Sequence, residues 1–166
     1  TDIGGFLGGY PEDPAFQELL VRWFEWAVFC PVLRMHGARQ PFEKLEEEFR
    51  EGVKQFTSGQ PNEVFSYGEE VYETLRKYIF LRKTLKPYLE SLMEESHLTG
   101  LPLIRAMFLE YPSDEECWNV EGQYLFGKDI LVAPVAEEGQ REKGVYIPGE
   151  SVWIHAADQK EYCGGN

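Results

Sequence analysis

Asp2-Ile3-Gly4-Gly5-Phe6 and Arg34-Met35-His36-Gly37 bracket one strongly patterned stretch, and that bracket decides how the chain is read. In the first segment an acidic and an aromatic residue flank a Gly-Gly step. In the second, a histidine precedes a glycine. Between them, Asp13 is a good N-cap and Pro14 suits the first helical position. Apolar residues then fall at Phe16, Leu19, Leu20, Trp23, Phe24, Ala27 and Val28, the spacing of a buried helix face. Pro31 ends that helix. Residues 1–6 read as a strand end running into a glycine turn, and Gly8 and Gly9 extend a loop to Pro11.

Outward from the bracket, residues 37–68 form a connection longer than loops usually are. Phe42, Leu45, Phe49, Val53 and Phe56 have helical spacing within it and predict a short surface helix. A second long helix is expected from about Glu69 to His97, with an apolar stripe at Leu75, Tyr78, Ile79, Leu85, Tyr88, Leu89 and Leu92. Pro87 should kink or split it, and Gly100 and Pro102 close it. Leu103 to Leu109 reads as a buried strand with Arg105 as its one charged member. Trp118 to Phe126 is expected to be a short helix and Ile130 to Val135 a strand. Val145–Pro148 and Val152–His155 read as short strands around a Pro-Gly turn, opening an antiparallel β-region.

The order strand, helix, connection, helix, strand, then hairpins places the chain in the α/β class. One strand–helix–strand unit cannot close a barrel or complete a doubly wound sheet, and the tail cannot complete a sandwich. Exposed apolar sheet edges in such a piece argue against a self-sufficient module.

The chain has 166 residues, long enough for one ordinary core. A net charge of −13 disfavours a nucleic-acid backbone or an anionic membrane as partner. Cys30, Cys117 and Cys163 match no zinc or redox spacing; reduced thiols in a cytoplasmic protein are the expectation. No phosphate loop, dinucleotide fingerprint or nucleophile elbow is present, so no metal and no cofactor is expected.

Asp2, near a predicted strand end, has two readings. A carboxylate there accepts hydrogen bonds from sugar hydroxyls, or it pairs structurally with Arg34 or caps a turn. Phe6 offers an apolar face for a sugar ring. His36 is either a ligand contact or a structural hydrogen-bonder. His97 and His155 read as a helix-end and a strand-surface histidine. Glu46-Glu47-Glu48 is a solvated face, and Asn62-Glu63 either lines a cleft or forms a turn. Trp23, Trp26, Tyr88 and Trp118 are expected to pack the core rather than hold a ligand.

The ordered series resembles glycoside hydrolase family 31, the α-glucosidases and α-xylosidases. It is carried by Asp2 to Phe6, Arg22-Trp23, Phe29-Cys30-Pro31 through Gly37, Leu81-Arg82 with Leu85 to Tyr88, Gly100-Leu101-Pro102 with Arg105, Gln123 to Gly127, and Leu131 to Val135. The resemblance implies strands seven and eight of a (β/α)8 TIM barrel with their helices over residues 1–135, followed over 136–166 by the start of an antiparallel β-sandwich. It implies a retaining α-glycosidase acting on terminal non-reducing α-linked glucose or xylose. In such enzymes two carboxyl groups lie ~5–5.5 Å apart. The family's two catalytic aspartates have no counterpart in this sequence and are expected before Thr1. An excised, inactive piece of a larger enzyme is therefore expected. By resemblance Asp2 orients the pocket through Arg34, Phe6 walls it, and His36 bonds a hydroxyl of the sugar being cleaved. The expected partner is an oligosaccharide or α-glycoside, with a homo-oligomeric parent and neither nucleic acid nor membrane. The competing class is a non-catalytic carbohydrate-binding or structural module.

Overall fold

Asp13 Oδ1 accepts the Ala15 N–H at 3.0 Å, which starts α1 (Pro14–Val28) where the N-cap reading puts it. The computed structural model describes residues 2–43 and 58–165. These divide into two compact units, Thr1–Val28 with Val32–Lys86, and Phe29–Pro31 with Pro87–Asn166.

In the first unit α1 buries Phe16, Leu20, Phe24, Ala27 and Val28. The i, i+4 row 16–20–24–28 carries the burial, and the expected face is narrower on one side: Leu19 is half exposed. α1 packs on α2 (Glu69–Thr84), whose Val71 and Leu75 are buried. Two polar contacts tie the helices together. The Tyr78 hydroxyl donates to Glu25, and Arg82 Nη1 donates to the Val28 carbonyl at 2.6 Å, satisfying a group at the end of α1. Residues 2–6 form the glycine turn, and none of them is in a strand. Gly5 N donates to Asp2 O at 2.9 Å, and positive φ at Gly4 and Gly5 ends any extended run. The parallel strand–helix–strand unit is thus reduced to one parallel bridge, Leu7 to Ala38, with α1 as the crossover. β1 (Arg39–Glu43) and β2 (Ser58–Gln60) pair antiparallel. Phe42, the first residue of the expected surface helix, lies instead in β1, paired with β2; the rest of that helix, with Leu45, Phe49, Val53 and Phe56, and the Glu46-Glu47-Glu48 face lie outside the described residues.

The long helix expected over 69–97 is two helices. α2 stops at Thr84, and α3 runs Lys86–Thr99. Pro87 sits in the first turn of α3, where its missing N–H has no intrahelical partner to lose.

In the second unit β3 (Ile104–Arg105), β4 (Tyr124–Phe126) and β5 (Ile130–Val132) form an antiparallel sheet in the order β3-β4-β5. Alternation along the strands serves both faces. Phe126 and Val132 pack with Leu92 of α3, while Leu125 packs with Met107 and Cys117. The strand expected over 103–109 is shorter than predicted, because α4 (Met107–Glu110) follows it at once. That turn returns Glu110 to Arg105, whose buried guanidinium also meets Glu95. The helix expected over 118–126 is a correction too: a 3-10 turn spans Glu115–Trp118, and 124–126 is the central strand. Pairing to β3 and β5 outweighs local propensity there. Residues 145–148 are not a strand. The Gln123 side chain takes the place of a partner strand, donating to Tyr146 O at 2.8 Å and accepting from Tyr146 N at 2.9 Å. β6 (Val152–Ile154) pairs antiparallel with β7 (Glu161–Cys163), which the sequence reading did not anticipate.

Candidate functional site

The two motifs that bracket α1 lie side by side. Ile3 N donates to Arg34 O at 3.0 Å, Ala38 N to Phe6 O at 3.0 Å, Gly8 N to Ala38 O at 3.3 Å, and Gln40 N to Gly9 O at 2.8 Å. These bonds set 2–9 and 34–40 in register. They bring the predicted site residues together as two pairs. Arg34 Nε lies 3.1 Å from the Asp2 carboxylate. The Phe6 and His36 rings face each other with centroids 5.3 Å apart and a 39° tilt. The structural reading of Asp2, a pairing with Arg34, is the one this geometry displays. Phe6 is 53% exposed, so its ring offers an open apolar face.

His36 also lines a cavity of about 610 Å³. Met35 to Ala38 form one side, and residues 59–65 the other. Asn62-Glu63 thus borders a cleft. The turn reading holds as well, since Ser66 N donates to Glu63 O at 2.8 Å.

Beneath this surface lies a residue the sequence reading passed over. Arg39 is fully buried. Its Nη2 donates to Ile3 O at 3.0 Å, and its Nη1 to Gly5 O and Gly8 O at 3.0 and 3.2 Å. Its Nε lies 2.8 Å from the Tyr67 hydroxyl and 3.0 Å from Asn62 Oδ1. The Phe16 ring lies under the guanidinium, 5.2 Å from its carbon. Tyr67 in turn donates to Asn62 Oδ1. Burial pushes the Tyr67 phenol above the usual tyrosine range, against the pull of Arg39, so it keeps its proton to donate. The one available signal was an arginine inside the short run Ala38 to Phe42.

Elsewhere the histidine readings meet plain geometry. His155 sits at the end of β6 with Nδ1 2.7 Å from Asp158. Trp118 is more exposed than a core residue, stacked on Phe108 at 4.5 Å. Among the described residues no group of three or more His, Cys, Asp or Glu is placed to hold a metal ion, and no helix is long and apolar enough to cross a membrane.

Comparison with known proteins sets this chain in a family. The model of the glycosyl hydrolases family 31 TIM-barrel domain matches residues 1–92. That of the glycosyl hydrolase family 31 C-terminal domain matches residues 100–166. An alpha-xylosidase of Saccharolobus solfataricus is 35% identical over 153 residues, covering 92% of this chain and 18% of the relative. A sulfoquinovosidase of Agrobacterium fabrum is 32% identical over 165 residues, covering 99% of this chain and 22% of the relative. Among solved structures, a GH31 alpha-xylosidase from a soil metagenome, complexed with xylose, superposes with a TM-score of 0.94 at 48% identity, over 99% of this chain and 24% of that one. The chain thus spans about a fifth of the length of these curated relatives.

Proposed function

The chain belongs to glycosyl hydrolase family 31, as part of its barrel followed by a β-domain, and from that premise we propose that it forms one wall of the sugar-binding site of a retaining α-glycosidase. The substrate class is an oligosaccharide or α-glycoside ending in a non-reducing α-linked xylose or glucose. The observation that carries this reading is the pairing of Phe6 with His36 beside the Asp2–Arg34 pair. An aromatic face next to fixed polar groups is the chemistry a pyranose ring asks for: its C–H face stacks and its hydroxyls need donors and acceptors.

The roles follow from the groups. His36 hydrogen-bonds a hydroxyl of the sugar being cleaved. Phe6 covers that sugar's apolar face. Asp2, oriented by Arg34, accepts from a further hydroxyl. Such contacts act on rate when they strengthen as the ring flattens toward an oxocarbenium-like transition state. The nucleophile and the general acid, two aspartates in this reading, belong to parts of the protein outside these 166 residues. The barrel portion supplies the Asp2–Phe6 loop, the His36 segment and the helix α1 between them.

The test uses the full-length protein carrying this sequence, with aryl α-xyloside, α-glucoside and α-sulfoquinovoside as substrates. Turnover of the xyloside or glucoside with retention of the α-anomer is expected, and His36→Ala lowers kcat/KM. An unchanged kcat/KM in that variant removes His36 from the site. Residues 1–166 alone are expected to be inactive; turnover by them that disappears on changing Asp2 overturns the reading.

A further inference from the structure

Arg39 reaches no solvent, so a substrate cannot touch it. Its donors nevertheless go to the backbone of the sugar-site loop: the carbonyls of Ile3, Gly5 and Gly8. We propose that Arg39 is a positioning residue of the sugar site, setting the directions of Asp2 and Phe6 from below and tying their loop to Asn62, which lines the cavity beside His36. The proposal rests on the glycosidase reading for its effect on turnover, but not for its effect on the loop.

Three observations converge on this role. The first is the direction of the bonds. Ile3 and Gly5 lie inside the Asp2–Phe6 motif, so fixing their carbonyls fixes the peptide planes from which both side chains project. A planar guanidinium meets such a set of acceptors in one geometry, which a lysine ammonium on a flexible stem cannot reproduce.

The second is the Gly-Gly step. A Cβ on Gly4 would stand 3.0 Å from Arg39 Nη2 and 2.8 Å from Leu20 Cδ1, at φ +78°. The missing side chain at Gly4 is what lets the guanidinium reach the carbonyls on either side of it.

The third is the far side of the guanidinium. Its Nε is shared between Asn62 and Tyr67, and Asn62 Nδ2 points back to Gly37 O at 3.5 Å, next to His36. Asn62 itself lines the cavity. One buried cation therefore joins the Asp2–Phe6 loop, the His36 segment and the 59–65 wall. Among the described residues its hydrogen-bond partners are the carbonyls of Ile3, Gly5 and Gly8, the Asn62 amide oxygen and the Tyr67 hydroxyl, and Asn62 carries the link on to the His36 segment. A change in any one of them is felt by the others.

The experiment compares full-length wild type with Arg39→Lys and Tyr67→Phe, well below the melting temperature of each. In Arg39→Lys, amide exchange over residues 3–8 and 36–38 is expected to quicken about tenfold or more while the middle of α1 stays protected. On an aryl α-glycoside, kcat/KM is expected to fall about tenfold or more, mostly in kcat, and to combine non-additively with His36→Ala. Tyr67→Phe, which keeps the ring, shifts both readouts the same way by about threefold. A lower Tm with kcat and KM within about twofold of wild type makes Arg39 merely structural and overturns the proposal. If wild type turns over no aryl α-glycoside, the glycosidase reading fails, and unchanged exchange over 3–8 in Arg39→Lys then overturns the positioning role on its own. Should Arg39→Lys fail to fold, Tyr67→Phe decides by the same criteria.

Discussion

Gly37 lies against the Phe6 carbonyl so closely that a Cβ at residue 37 would stand 1.7 Å from Phe6 O. The same approach lets Ala38 N donate to that carbonyl at 3.0 Å. Gly37 thus sets the separation of the two segments that carry Phe6 and His36. Its φ of +104° adds a second reason for glycine.

Gly37→Ala is accordingly expected to destabilise the protein by about 2 kcal/mol or more, since neither backbone can yield without losing the Phe6–Ala38 bond. Gly139→Ala is the control. Its φ is +69°, but a Cβ there meets open space, so only backbone strain of about 1 kcal/mol is expected. Urea unfolding of both variants checks this; equal costs would show that the contact with Phe6 is not what requires glycine.

Arg34 and Asp2 carry a different kind of contact. Their side chains are 54% and 24% exposed, so solvent screens the pair. Arg34→Ala should change stability by no more than about 1 kcal/mol, and less in high salt. Its effect on turnover in the full-length protein is expected to be the larger one, about tenfold in kcat/KM. A large fall in Tm with unchanged turnover would make the pair structural.

The thiols should separate by reactivity. Cys163 is exposed, whereas Cys30 and Cys117 are buried. Burial, and then the charge of Asp114, push the Cys117 thiol up to about 11. At pH 8 a thiol-disulfide reagent is expected to label Cys163 rapidly and Cys117 only when the second unit opens. Mass spectrometry of the labelled peptides reads this out. Rapid native labelling of Cys117 contradicts the packing of Met107, Cys117 and Leu125.

The same cluster sets an alkaline limit. The hydrogen bond to Asp114 raises the Tyr146 phenol from 10.0 to about 12, and Cys117 moves from 9.0 to about 11. Both are acids that hold their protons more tightly when folded. Their contribution is fully present below the unfolded values, and it is lost as pH rises through about 9 to 12. Unfolding free energy is therefore expected to slope downward above pH 9, with a shallower slope in Tyr146→Phe. A flat profile between pH 8 and 11 would rule out the coupling.

Some of this architecture was legible because it is encoded locally. The start of α1 needs only Asp13 and Pro14, and its buried row needs only a spacing of four. The break before α3 follows from the ring of Pro87. The pairing of the opening motifs was legible as a pattern too, since one helix of α1's length returns the chain beside its start.

Other elements were not legible, because non-local partners decide them. Residues 124–126 have no strand signature strong enough to exclude a helix; β3 and β5 supply the hydrogen bonds that select the strand. Tyr146 looks like a strand residue, but Gln123, far back in the chain, occupies its backbone groups. Arg105 reads as an oddity in an apolar run until α3 and α4 deliver Glu95 and Glu110.

What the amino-acid order determined by itself is the family, the start and buried row of α1, the break between α2 and α3, and the choice of Asp2, Phe6, Arg34 and His36 as the residues to watch. Periodicity, proline and glycine act over a few positions, and an ordered motif series survives without coordinates. What only the tertiary structure decided is how those residues are held. Arg39 is one cation among many in the sequence. It becomes a hub because the carbonyls of Ile3, Gly5 and Gly8 converge on it from one segment and Asn62 and Tyr67 from another. Hydrogen bonds to a buried guanidinium depend on where backbone groups end up in space, and spacing along the chain does not carry that information.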